Sequence, residues 1–417
     1  MTLPSRSIKV LQVNNVDLPG RRFNGYDLLS DLQSRGVDGY QAVLTKLSGN
    51  SRVFSLWANR FDERFHAALH RVEQRRSMNN LLYPWGRVLA DSWQFRNADV
   101  VHYHLLHNEV IGLADLPMLF AAKPSIWTFH DPWPLTGHCI HPKGNRGWLT
   151  GCHDCQDLDE PFAMDRDFGY RMWRIKEHIF ASTKVDIVVA SEFMQQMVSR
   201  SPITGHLRSV HLIPFGIDAS RYLPDADKVR SRQQLGVPAG DFVVLFRGST
   251  WSVKGLSYVL EALDERPPSR PTTLLIVGQR GLARSLSRNY RVLEFGWVDD
   301  EALMTRIYSA CDTFVMPSLA ESFGLMALES MASGRPVISF EGTAVSSVTH
   351  SPECGIAVPM GNPAALRSAL DGLASDPDEA RRRGQLGRQI AVSKFSYEAY
   401  LDSLASLYMR LSAGKQH

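Results

Sequence analysis

Short runs of β-branched and apolar residues return at intervals along this chain, and a stretch with apolar residues at helical spacing follows most of them. In the second half the runs cover residues 242–246, 273–277, 292–295, 313–316 and 337–340, and Gly248, Gly278, Gly296, Pro317 and Gly342 border them. Their hydrophobicity is continuous rather than alternating. Strands of that kind are buried on both faces, as in a parallel sheet covered by helices. The segments 256–263, 303–310 and 326–332 read as covering helices. The first half repeats the theme less regularly, with a strand at 8–13, a glycine-bearing loop at 17–25, a helix at 26–34 and further strands at 100–103, 125–129 and 186–190. Two such arrays joined near 213–218 predict an α/β protein of two doubly wound domains. Ligands in such sheets bind beyond the carboxyl ends of the strands.

The length of 417 residues suits two domains. Residues 1–215 form the first and 216–394 the second. The amphipathic segment 395–417, helical over 395–411, either completes the second domain or crosses back to the first. Hydrophobic residues make up 44% and charged residues 21%, the balance of a soluble globular protein. A net charge of +3 argues against a nucleic-acid partner. No run approaches the ~20 apolar residues needed to span a bilayer. Residues 1–7 lead into the first strand without the architecture of a signal peptide. Five cysteines, an odd number, argue against a disulfide framework, so a reducing, cytoplasmic setting is expected.

The densest chemical signal lies where the run 313–316 ends. There the chain reads Pro317-Ser318-Leu319-Ala320-Glu321-Ser322-Phe323-Gly324-Leu325, and Glu329 follows two helical turns beyond Glu321. A helix N-terminus offers unpaired N–H groups and partial positive charge, which suits a diphosphate. Gly324 permits close backbone approach, Glu321 could hold sugar hydroxyls, and Glu329 could take two ribose hydroxyls. The plainer alternative makes Glu321 an N-cap and Glu329 a solvated helical residue.

This stretch, continued through Ser330-Met331-Ala332-Ser333-Gly334-Arg335-Pro336, resembles the E-x7-E signature of retaining glycosyltransferase family 4. The resemblance implies the GT-B architecture, two facing Rossmann-like lobes with a cleft between them. Ile213-Pro214-Phe215-Gly216-Ile217-Asp218 is similar to the family's interdomain motif, with Phe215 where Asn is usual. Arg247-Gly248-Ser249 and Lys254-Gly255 resemble the loop that sets Arg and Lys against the donor diphosphate. Ser249 stands in the usual Arg place, so Arg247 takes that role if the loop bends to compensate. In the first lobe the loop from Gly20 to Gly25 resembles the family's glycine loop, with Arg21 replacing its second Gly. Thr128-Phe129-His130-Asp131 matches its T-x-H-D, which implies His130 beside the donor sugar, and Asp99-Val100-Val101-His102-Tyr103-His104 also fits the family, which implies His104 near the acceptor side.

The expected site is therefore His130, Lys254, Glu321 and Arg247 at the reacting centre, with Gly20, Ser322, Phe323, Gly324, Leu325 and Glu329 around the nucleotide. The resemblance implies retaining transfer of a hexose-type sugar from a nucleoside-diphosphate sugar to a glycan or polyprenyl-linked saccharide. It also implies no catalytic metal and a place in bacterial surface or exopolysaccharide assembly. A non-catalytic nucleotide-sugar-binding subunit and an epimerase or phosphorylase on the same fold are the alternatives. Segment 133–155 is similar to a four-cysteine insertion of polysaccharide-assembly transferases, reduced here to Cys139, Cys152 and Cys155. With a nearby His138, His141 or His153 these could bind structural zinc or simply pack as thiols. Finally, Arg71, Arg75, Arg76 and Arg87 with Leu81, Leu82, Tyr83 and Trp85 could meet an anionic membrane. A solvated helix followed by a core-packed loop explains them equally.

Overall fold

The computed structural model describes residues 7–155, 157–158, 162–207, 209–222, 228–282, 286 and 288–414. Residues 1–6, on which most of the signal-peptide reading falls, lie outside them. The chain divides into two compact units. The first runs to Pro214 and takes in the chain again from Ala399, and the second covers Phe215–Glu398.

The first unit holds a seven-stranded sheet. Its strands are β1 (Ile8–Val13), β2 (Val37–Val43), β3 (Val53–Ser55), β4 (Val100–Tyr103), β5 (Ser125–Thr128), β6 (Asp186–Val189) and β7 (Val210–Leu212). They lie in the order β3-β2-β1-β4-β5-β6-β7, and every pairing is parallel. Val13, Val101, Trp127 and Ile187 from these strands share one core with Trp133 and Phe180. Each such side chain, once buried, contributes about 1.5–3 kcal/mol of transfer free energy.

Among the described residues the second unit holds six strands: β8 (Phe242–Gly248), β9 (Thr272–Gly278), β10 (Arg291–Gly296), β11 (Thr313–Met316), β12 (Val337–Phe340) and β13 (Ile356–Val358). Their order is β10-β9-β8-β11-β12-β13, again parallel throughout. In both sheets the order reverses at the first strand, between β1 and β4 and between β8 and β11. Such a switch point leaves a crevice outside the strand ends, where ligands bind.

The helix expected at 26–34 is broken. Only Leu28–Asp31 is α-helical, followed by a 3-10 turn, Gln33–Arg35, that ends at left-handed Gly36. Asp27 is a good N-cap type, but its side chain makes no cap bond and instead accepts from Arg21 Nε at 2.7 Å. A helix of one turn with an uncapped start cannot propagate far.

Candidate functional site

Two strand ends of the second unit meet at its switch point. After β8 the chain makes a 3-10 turn, Ser252–Lys254, closed by Gly255 at φ +70°. After β11 it runs through 317–324 into the helix Leu325–Ala332. The two loops are joined by a backbone bond from Leu319 N–H to Val253 O at 2.8 Å. That junction brings Lys254 and Glu321 together: Lys254 Nζ donates to Glu321 Oε2 at 3.0 Å, and their side chains are 12% and 18% exposed. A half-buried pair is screened less than one on an open surface, yet both groups remain reachable.

Glu321 is not the helix N-cap. That position belongs to Gly324, left-handed at φ +95° and without any side-chain cap bond. The first turn of the helix thus keeps backbone N–H groups that no cap side chain serves. Phe323 is buried and packs edge-on against Phe215 and Phe395, so its side chain belongs to the core of the unit. Ser322 is buried and Leu325 half-buried. Glu329 is half-buried on the same helix, and Tyr308 Oη donates to its Oε2 at 3.0 Å. Burial holds the Tyr308 phenol well above its ordinary pKa, so it stays a donor and orients the carboxylate. Arg247, the last residue but one of β8, is half-buried, with its guanidinium 5.9 Å from the Trp297 ring centroid.

The expected first-unit residues gather at the carboxyl ends of β1, β4 and β5. His130 Nε2 lies 3.1 Å from His104 Nδ1, and His104 Nε2 lies 2.8 Å from Gln12 Oε1. Gln12 Nε2 donates to Tyr408 Oη at 3.2 Å, and His102 links Tyr408 Oη to Thr128 Oγ1 at 2.7 Å on each side. Burial pushes His102 and His130 down to about 3 and His104 well below its ordinary value, so all three rings are neutral near pH 7. A neutral imidazole has one donor and one acceptor nitrogen. With Gln12 Oε1 accepting from His104 Nε2–H, His104 Nδ1 must accept from His130 Nε2–H. One amide orientation therefore sets both tautomers. Gly20 (φ +72°) opens the loop that carries Phe23, whose ring is 5.7 Å from that of His130. Gly25 lies so close that a Cβ there would sit 2.9 Å from His104 Nε2. Arg21 points to Asp27 and is largely exposed.

Next to this cluster, His107 Nε2 is 3.4 Å from Asp131 Oδ2, and burial raises that carboxyl to about 6. Lys176 is fully buried. Its Nζ donates to the carbonyls of Trp133 (2.7 Å), Thr136 (2.9 Å) and Gly137 (3.4 Å), and stands 3.6 Å from the Trp133 ring centroid. Burial lowers Lys176 to about 7, while three acceptors and an aromatic face favour its ammonium form. This lysine clamps segment 133–137.

In the cysteine segment Gly137 N–H donates to Cys152 Sγ at 3.2 Å, and His138 Nε2 lies 3.3 Å from Cys155 Sγ. Burial raises Cys139 to about 12 and Cys152 and Cys155 above their ordinary values, which keeps all three as thiols. Among the described residues no group of three or more His, Cys, Asp or Glu side chains is placed to hold a metal ion. Trp85 and Tyr83 are buried, whereas Leu82 and Arg71, Arg75, Arg76 and Arg87 are exposed. The helix Arg60–Arg75 also exposes Phe61 (73%), Phe65 (45%) and Val72 (49%). Among the described residues no helix is long and apolar enough to cross a membrane.

Sequence reasoning reaches Asp131 only as the last residue of the T-x-H-D motif and does not single out Tyr308, Gln12, Tyr408, His107 or Lys176. Tyr408 lies 306 residues from His102, a separation that no local pattern bridges.

Residues 241–376 match the family model described as glycosyl transferases group 1. A D-inositol 3-phosphate glycosyltransferase from Corynebacterium jeikeium is 30% identical over 344 residues, covering 78% of this chain and 76% of the relative. The enzyme of the same name from Nocardia farcinica is 30% identical over 306 residues, and here 69% of this chain matches 61% of the relative's length. Among solved structures, Anabaena HepE in complex with UDP-glucose superposes with a TM-score of 0.64 at 16% identity, over 97% of this chain and 100% of that one. That likeness shows a shared fold.

Proposed function

Because this chain belongs to the group 1 glycosyltransferases and has the two parallel-sheet α/β domains of the GT-B fold, we propose that it moves a hexose-type sugar from a nucleoside-diphosphate sugar to a glycan or lipid-linked saccharide with retention of configuration. The observation that carries this reading is the Lys254–Glu321 pair at the switch point of the second unit, 3.0 Å apart beside a helix start with no side-chain cap. Lys254 and the N–H groups of that helix start take the diphosphate, Glu321 takes hydroxyls of the sugar, and Glu329, oriented by Tyr308, takes those of the ribose. Arg247 adds a second cation at the end of β8. The neutral His130 lies beside the donor sugar, as the family resemblance implies. The UDP-glucose held by HepE supports a nucleotide-sugar donor of this class.

In the step itself the bond from the anomeric carbon to the diphosphate oxygen breaks, and the acceptor hydroxyl forms its bond on the same face. Its proton passes to the departing phosphate oxygen. The protein's work is positioning and neutralising the leaving charge. Lys254, Arg247 and helix amides suffice for that charge, so transfer proceeds without a catalytic metal. The expected result is a raised melting temperature with one class among UDP, GDP and ADP, activity that survives EDTA, and a product whose anomeric coupling by NMR matches the donor's. Inverted product would defeat the mechanism, and rescue of EDTA-treated enzyme by Mg²⁺ alone would defeat the metal-free claim.

The enzyme's place is proposed to be bacterial surface or exopolysaccharide assembly in the cytoplasm, at the inner face of the membrane. Phe61, Phe65, Val72 and Leu82 are exposed beside Arg64, Arg71, Arg75 and Arg76, a composition that suits an anionic bilayer surface. The protein is expected to sediment with phosphatidylglycerol vesicles at low salt and less so with phosphatidylcholine. Equal recovery with both removes the membrane from the account.

A further inference from the structure

The first unit contains a second feature, apart from the residues assigned above. A cavity of about 360 Å³, counted with its open mouth, is lined by the helix Arg60–Arg75, the turn after it, the loop after β4, and Phe162. His70, Gln74, Asn80, Tyr83 and Glu109 face it together with Phe162.

The polar groups are set and partly unmet. His66 Nε2 and His70 Nδ1 lie 2.9 and 2.6 Å from the two oxygens of Glu109. Burial opposes charge on Glu109, but hydrogen bonds and charge from His66 and His70 hold its carboxyl below the usual range. Asn80 is 3% exposed and donates Nδ2–H to Ile111 O at 2.6 Å, while its Oδ1 has no hydrogen-bond partner among the described residues. A buried acceptor left unmet is unfavourable until something donates to it. Asn80, Glu109 and Phe162 all hold left-handed backbone, at φ +60°, +65° and +70°. Strain of that kind gathers at ligand sites. Among the described residues no lysine or arginine lines the cavity.

Amide and carboxylate acceptors beside aromatic faces suit a sugar ring, which presents hydroxyl donors at its edge and C–H groups on its faces. A phosphate would meet the carboxyls of Glu73 and Glu109, and the histidine that lines the cavity beside them, His70, is already paired with Glu109. We propose that this cavity binds the acceptor as an uncharged sugar ring and discriminates against a phosphorylated one. The proposal rests on the transfer reading above and names the acceptor class for it. Its position agrees: His107 also lines the cavity and touches Asp131, the neighbour of His130.

The test uses the full chain and ligand-observed NMR saturation transfer. The probes are the methyl pyranosides of glucose, galactose and mannose, set against glucose 6-phosphate and mannose 6-phosphate. At least one methyl glycoside should give signal, with the phosphates at least about tenfold weaker because of like-charge repulsion. Gln74 is exposed, so Gln74→Trp fills the mouth without touching the core; it should abolish the signal at an unchanged melting temperature. Gln74→Ala should weaken it severalfold. Phosphates that bind as well as the glycosides, no glycoside binding at all, or full binding by Gln74→Trp overturns the proposal. The melting shift with nucleoside diphosphate, read on the same sample, reports the donor site separately. Its loss beside an intact glycoside signal counts against the transfer reading and leaves the cavity's ligand standing.

Discussion

Lys254→Ala is expected to lower kcat/KM by about 10²–10³, equivalent to about 2.7–4 kcal/mol of transition-state stabilisation, with little change in melting temperature. The ammonium is proposed to neutralise a diphosphate whose charge grows as the anomeric bond breaks, so its loss is felt most in the transition state. The same change leaves Glu321, 18% exposed, without the cation that now sits 3.0 Å from it. Glu321→Gln isolates the other half of the pair. It should keep the nucleotide-induced melting shift, because the amide stays compact and Lys254 remains, and yet lose most transfer. The two changes share one contact, so their double mutant should fall well short of additivity. Steady-state kinetics with the donor identified by melting shift would read all three variants. Wild-type turnover by Lys254→Ala would remove the leaving-group assignment, whatever the nucleotide proves to be.

The sheets were largely legible because buried parallel strands advertise themselves as unbroken apolar runs. The observed bounds of β1, β4, β11 and β12 coincide with those runs, and β8, β9 and β10 extend them by one or two residues. The strands that escaped notice had a physical reason to. Strand β2 carries Asp38 and Gly39, and Gly39 is small because Leu29 Cα would lie 3.2 Å from any Cβ there. Strands β3, β7 and β13 have three residues each, too few to show a period.

The candidate site divides in the same way. Lys254 and Glu321 lie 67 residues apart, yet both follow strands, and the switch-point rule is enough to bring such loops together. Tyr308 behind Glu329 and Tyr408 behind the histidines act across elements, and nothing in their own neighbourhoods marks them. Gln12 sits inside a buried strand, where a polar residue could as well be a satisfied core amide. Only the structure shows that it settles the tautomers of His104 and His130.

The junction that makes the second-unit site also has a steric requirement that a single methyl group tests. Gly255 has φ +70°, and a Cβ built on it would lie 1.9 Å from Pro317 O, a backbone atom of the opposing loop. Alanine there must push the turn bearing Lys254 away from the loop bearing Glu321. That movement strains the Leu319 N–H to Val253 O bond and parts the ion pair together. Gly236 provides the control within the same unit, since it shares φ +70° but a Cβ there meets nothing within 4 Å. Gly236→Ala should cost only the left-handed penalty of about 1–2 kcal/mol. Gly255→Ala adds the collision, for a total of about 4 kcal/mol or more. At roughly 2–4 °C per kcal/mol for a body of this size, the second unit of Gly255→Ala should melt at least ~8 °C lower, and Gly236→Ala by about a quarter to a half of that. Transfer should fall with Gly255→Ala even below its melting range, because Lys254 and Glu321 no longer share one position, and should be unchanged in Gly236→Ala. Equal melting of the two variants would mean that the loops can separate freely, and an ion pair so loosely held could not be the preorganised element on which the transfer reading depends.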